Sequence, residues 1–220
     1  MGIKPILFNT EMVKAILDGK KTVTRRCVKY KYSNTEMQIR TDKYGTNLIE
    51  IQKDAEGETF GTNEDGTTWR KLLAYIEKRP PYKVNDILYV RETWKDLQRT
   101  ACGPNEYGYR ADVDESRVNL FRWRPSIHMP KEAARIFLRV TSIRVERLWD
   151  MTEADAVKEG FVDDRDFRKH EGNTAEGNFL ELWDTTIKKD QLQYYRWNAN
   201  PYVWVIEFER CEKPADMEKS

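Results

Sequence analysis

The sequence predicts an α+β fold: a mixed β-barrel with short peripheral helices and an inserted hairpin-rich segment. Three observations lead there. Apolar, strand-like runs of unequal length follow residue 82 without the regular strand–helix alternation of a parallel sheet. Three short stretches carry helical periodicity with recognisable caps. Glycines and turn pairs crowd the segment from 28 to 81.

The first element is a short helix opening at Asn9-Thr10-Glu11, where either Asn9 or Thr10 can accept an orphan N–H of the first turn. Met12, Val13, Ile16 and Leu17 form its apolar stripe, and Gly19 stands where a left-handed residue ends a helix. Lys20 to Arg26 therefore leave in a new direction. The segment 28–81 is read as an insertion holding Gly45, Gly57, Gly61 and Gly66, alternating Leu48-Ile49-Glu50-Ile51 and a short helix from Thr68 to Glu77. Asn85-Asp86 marks a turn, and Ile87 to Val90 is a buried strand. Arg135 to Val145 alternates as a strand. Thr152 and Asp155 make a capping-box pair for a helix ending at Gly160. A third helix spans Thr174 to Lys188, with Phe179, Leu180, Trp183 and Ile187 on one side. Tyr202 to Phe208 is the last strand. One domain covering 1–210, with a tail from 211 to 220, accommodates all of these elements.

The 220 residues are enough for a sizeable core, and seven Trp, eleven Tyr and eight Phe offset an apolar fraction of 39%. A charged fraction of 34% with net charge +1 mixes both signs, which excludes a chain that coats nucleic acid by bulk charge. Any nucleic-acid role needs a local basic patch. Three separated cysteines without a CxxC pair suggest neither zinc nor a disulfide framework, and no cofactor motif is present. No apolar run approaches a membrane span and the N-terminus lacks a signal-peptide core, so the expected setting is cytoplasmic, with no membrane or metal partner.

Four places carry candidate chemistry. Lys20-Lys21-Thr22-Val23-Thr24-Arg25-Arg26 gathers four cations and two hydroxyls, able to hold a phosphate, a carboxylate or a base carbonyl, or to be a solvated basic turn. Glu159 stands at a helix C-terminus, where the macrodipole disfavours a carboxylate; it is either solvated or a proton donor. Arg91, Glu92 and Trp94 form either an ion pair beside a core indole or an edge that stacks and reads a base. Trp123 to Pro130 is a proline-bounded loop offering Trp123 and His128, the latter a base contact or a structural histidine.

Ile16-Leu17-Asp18-Gly19-Lys20-Lys21-Thr22-Val23-Thr24-Arg25-Arg26 resembles the signature of the ASCH domain family, relatives of PUA RNA-binding barrels. The resemblance extends through Val84 to Trp94, Trp123 to Pro130, Thr152 to Gly160 and Asn200 to Phe208, most like the longer ASCH proteins of bacteriophages and prophages. It implies a PUA-like barrel whose cleft recognises RNA or a modified nucleoside. In that cleft Lys20, Arg25 and Arg26 meet the ligand's polar edge and Trp94 or Trp123 offers a stacking face. One bacterial branch is an amidohydrolase acting on acetylcytidine, and its Lys, Thr and Glu fall on Lys21, Thr24 and Glu159. On that reading Lys21 activates Thr24 as nucleophile and Glu159 carries the proton to the leaving amine. A third reading is a phage interaction module with 28–81 as partner surface. The catalytic reading sets a condition: in a straight strand, positions 21 and 24 face opposite sides, so the backbone must turn between them.

Overall fold

The computed structural model describes residues 2–31, 35–42, 45–52, 61–62, 68–69, 75–97, 107–165 and 172–215. Its elements are β1 (Ile3–Leu7), α1 (Thr10–Leu17), β2 (Val23–Cys27), β3 (Thr35–Asp42), β4 (Gly45–Gln52), β5 (Gly61–Thr62), β6 (Thr68–Trp69), β7 (Tyr75–Lys78), β8 (Ile87–Arg91), β9 (Trp94–Asp96), β10 (Tyr107–Tyr109), β11 (Phe137–Arg147), α2 (Glu153–Lys158), α3 (Ala175–Thr186), α4 (Leu192–Tyr195) and β12 (Tyr202–Cys211), with several 3₁₀ turns between them. The fold is mixed α+β.

The principal sheet has the order β1-β8-β11-β12-β2; β1 and β8 run parallel and the other neighbours antiparallel. Strands β1 and β2 are its edges. Among the described residues no ladder joins them, so the expected barrel is not closed by hydrogen bonds. One side chain crosses the gap: the Arg26 guanidinium donates to the Leu7 carbonyl at 2.9 Å. Pro5 is tolerated in β1 because an edge strand has one unpaired side.

Strand β12 shows why the sheet holds. Trp204, Ile206 and Phe208 join a core with Phe8, Val13, Ile16, Leu138 and Val140. Val203 and Val205 point the other way, onto Ala156, Ala175, Phe179 and Trp183 of α2 and α3. Both faces are covered, hence the unbroken apolar run in the sequence. Strand β11 keeps its apolar side inward with a bulge between Val140 and Ser142. Leu138 and Val140 precede it at even positions, and Ile143 and Val145 follow at odd ones on the same core. Without the extra residue those two would turn outward.

Helix α1 forms where the caps placed it. The Asn9 side chain accepts the Met12 N–H at 2.8 Å, Val13 and Ile16 are buried, and Gly19 has φ +73°. Thr152 and Asp155 close a capping box on α2, and Gly160 has φ +97°. Asn85 takes φ +70° in the turn before β8.

Within 28–81, β3, β4 and β7 form a three-stranded antiparallel sheet and β5 pairs with β6. The helix expected from Thr68 to Glu77 is replaced by strands at Thr68–Trp69 and Tyr75–Lys78; residues 70–74 lie outside the described set. Tyr75-Ile76-Glu77-Lys78 pairs in register with Ile51-Glu50-Ile49-Leu48, and tertiary pairing of strand-favouring Tyr and Ile overrides helical propensity. Met37 and Leu48 belong to the same core as Phe8 and Val13, so this sheet shares the principal core.

Candidate functional site

After α1 the chain turns before it extends. The Lys20 and Lys21 N–H groups both donate to the Ala15 carbonyl, at 2.9 and 3.0 Å, and the Thr22 N–H donates to the Lys158 carbonyl at 2.8 Å. Strand β2 begins only at Val23, so Lys21 lies off the ladder and the backbone turn required between positions 21 and 24 is present. The end of α2 presses closely here. A Cβ on Gly160 would stand 2.8 Å from Ala15 Cβ and 3.2 Å from Lys21 Cβ.

This junction buries a charged cluster. The side chains of Lys21 and Arg25 are 0% exposed and that of Glu159 is 3% exposed. Lys21 Nζ donates to the Val23 carbonyl at 2.8 Å, the Glu159 carbonyl at 2.8 Å and Glu159 Oε2 at 2.5 Å. All three ammonium protons are thereby engaged. Arg25 donates from Nη1 to Glu159 Oε1 at 3.4 Å and from Nη2 to Glu146 Oε1 at 2.8 Å, and lies 3.7 Å from Asp155. Buried charges persist only when paired in this way. Burial pushes the Lys21 pKa down, against the pull of Glu159. Burial raises that of Asp155, but the Thr152 hydroxyl and amide and the charge of Arg25 outweigh it and hold the carboxyl below its usual range.

Thr24 pairs with Ile206 across the ladder and so faces the principal core. Thr24 is 2% exposed, and among the described residues its hydroxyl makes no hydrogen bond to protein and receives none from Lys21. Phe8 floors this side, with Lys21 Nζ and Arg26 Cζ each 5.5 Å from its ring centre.

The remaining candidates are placed elsewhere. Lys20 is exposed and paired with Asp18 at 3.1 Å. Arg91 spends its guanidinium on the Met129 carbonyl, at 2.9 Å, and the Ile127 carbonyl, pinning the loop that carries His128. Glu92 is a buried carboxylate whose two oxygens accept from Arg135 at 2.9 and 3.1 Å. Burial raises its pKa while Arg135 opposes. Trp94 is 3% exposed, in a core with Met129 and Phe137, so it offers no stacking face in this conformation. Trp123 is half-buried, edge-on to Phe121, with its indole N–H on the Val118 carbonyl at 2.9 Å; His128 is exposed. Among the described residues no hydrogen bond or ring contact joins these groups to the Lys21–Glu159 pair.

The structure thus brings Lys21, Arg25 and Glu159 together, with Thr24 and Arg26 on the same strand. It adds partners that sequence reasoning did not name for the site. Asp155 was visible only as a capping residue. Glu146 carried no signal, because it lies 121 positions from Arg25 and its orientation depends on the β11 bulge.

Beyond this cluster, a groove of about 600 Å³ follows the outer edge of β2. Arg25 to Lys29 form its floor, Lys78 to Tyr82 one wall, and Trp183 and Ile187 of the α3 end the other. Arg26, Lys29, Lys78 and Arg79 contribute four cations, and no described carboxylate lines it. Burial pushes the Cys27 thiol up to about 11, which leaves it a poor nucleophile in this floor. Comparison with protein-family models, with curated proteins and with solved structures gives no match.

Proposed function

We propose that this chain is an ASCH-type, PUA-like module that recognises RNA or a modified nucleoside, with the ligand lying along β2. One observation carries the reading. The molecule is close to neutral at +1, yet four cations and no described carboxylate line the groove, with Glu50 and Glu77 pairing Lys78 and Arg79 from outside the lining. Phosphates are held by such local clusters, and the half-buried Tyr82 places aromatic surface beside them. The ASCH-like blocks around Lys20 to Arg26 and Thr152 to Gly160 meet beside the groove, where Lys21 and Arg25 contact Glu159, and the ligand class is the one the resemblance implies.

Binding of a fluorescent single-stranded RNA, followed by anisotropy between about 50 and 200 mM salt, tests the proposal. Affinity is expected to fall steeply with salt, and Arg79→Ala and Lys29→Ala each to flatten the log–log slope by about 0.7. Salt-insensitive binding, or variants indistinguishable from the parent, would overturn it.

A second reading, an amidohydrolase that deacylates acetylcytidine-like nucleosides, is favoured by a separate observation. Lys21 and Glu159 are in direct contact and buried, with an unpartnered Thr24 hydroxyl three positions along the chain. The third reading, a protein-interaction module, is supported by no feature of comparable specificity.

A further inference from the structure

We infer that the outer edge of β2 reads the Watson–Crick edge of an unpaired nucleobase, through the Arg25 carbonyl and the Cys27 N–H. The inference rests on the RNA reading above and specifies how that site takes its ligand.

Two hydrogen bonds fix the parity of the strand. The Phe208 N–H donates to the Thr22 carbonyl and the Val28 N–H to the Tyr202 carbonyl, both at 2.9 Å. Even-numbered residues of β2 therefore turn their backbone groups toward β12, and Val23, Arg25 and Cys27 turn theirs outward. Two outward carbonyls are already occupied. Lys21 Nζ takes that of Val23, and Lys78 Nζ takes that of Lys29 at 2.8 Å. Between these lysines the N–H and C=O groups of Arg25 and Cys27 have no partner among the described residues. Both residues line the groove.

Unpaired backbone groups on a sheet edge are a ready template for a ligand that offers matching donors and acceptors. On one edge of an extended strand, the carbonyl of residue i is followed by the N–H of residue i+2, an acceptor beside a donor. Every nucleobase presents a donor next to an acceptor on its pairing edge. A base seated there has the half-buried Tyr82 on one wall for its face, and the four cations for the flanking phosphates. In a duplex that edge is consumed, so the groove selects single strands. The lysines at either end leave room for one or two bases rather than a long added peptide strand.

The test uses the full chain and two RNA probes of identical length, one unmodified and one whose bases are methylated on the ring nitrogen of the pairing edge. The unmodified strand is expected to bind at least about tenfold more tightly, since each lost hydrogen bond also strands a backbone partner. Hydrogen exchange at the Cys27 amide is expected to slow on binding, while that of Arg26, already in the ladder, stays unchanged. If both probes bind equally and Arg79→Ala weakens both, the base-edge inference fails and the basic-groove reading survives. If neither RNA binds, both fail together. Protection of the Cys27 amide by an acidic peptide but not by RNA overturns the inference in favour of strand addition.

Discussion

At the scale of single residues, the question is whether Lys21 can serve as a base. All three of its protons are engaged, so the amine has no lone pair to offer Thr24 as it stands. Loss of one of these protons frees the amine. Burial already lowers the Lys21 pKa, so the neutral fraction grows as pH rises toward the ordinary lysine range. An amidohydrolase built this way releases acetate from acetylcytidine, with a rate that climbs with pH through that depressed value. Lys21→Ala or Thr24→Ala is expected to lower turnover by about 100-fold or more, with folding checked by circular dichroism. Thr24→Ala is expected to keep its salt-dependent RNA affinity, because the hydroxyl lies off the cationic wall. No acetate from the parent protein across the pH range would remove the catalytic reading and leave recognition.

At the scale of elements, the junction of α1, β2 and α2 depends on two glycines of different kinds. Gly19, at φ +73°, has open space where a Cβ would go, so Gly19→Ala bears only the cost of the left-handed backbone, about 1–2 kcal/mol. Gly160, at φ +97°, would also drive a Cβ into Ala15 and Lys21. Gly160→Ala is therefore expected to cost roughly 3 kcal/mol or more, overpacking being added to backbone strain. Urea melts of the two variants check the order, and equal losses would mean that α2 can slide away from α1. Both glycines were legible in the sequence, as were a helix cap at Asn9 or Thr10, the Thr152–Asp155 box and the Asn85 turn, because these features are local. The elements that escaped are those decided by distant partners. Strand β1 is masked by Pro5 until its place at a sheet edge is known. The stretch 68–77 reads as helix until Tyr75 to Lys78 find β4. Trp94 reads equally as a core indole or a stacking surface until Met129 and Phe137 cover it. The meeting of Lys21 and Glu159, 138 positions apart, was reachable only through the family resemblance.

At the scale of the whole molecule, a buried carboxylate of the inserted sheet holds the chain that leaves β2. Glu50 of β4 accepts the Lys31 N–H at 2.9 Å and the Thr35 hydroxyl at 2.8 Å, and pairs with Lys78 of β7. Lys78 in turn holds the Lys29 carbonyl and lines the groove. The insertion thereby supplies one groove wall, and Glu50 sets the position of that wall. Electrostatics and positioning predict opposite outcomes for its removal. Deleting a carboxylate beside a basic groove raises local positive potential and, by charge alone, tightens RNA binding. Deleting the group that orders Lys78 and the chain leaving β2 loosens the wall and weakens binding. Positioning is expected to win, since truncating one partner of a buried pair leaves the other charge stranded, at about 3–5 kcal/mol. Glu50→Ala is therefore expected to lower stability by about that amount, to speed amide exchange in β3, β4 and β7 ahead of β11 and β12, and to reduce RNA affinity despite the added positive charge. Tighter binding by Glu50→Ala would show that the groove acts through its field alone, and that the inserted sheet is not needed to shape it.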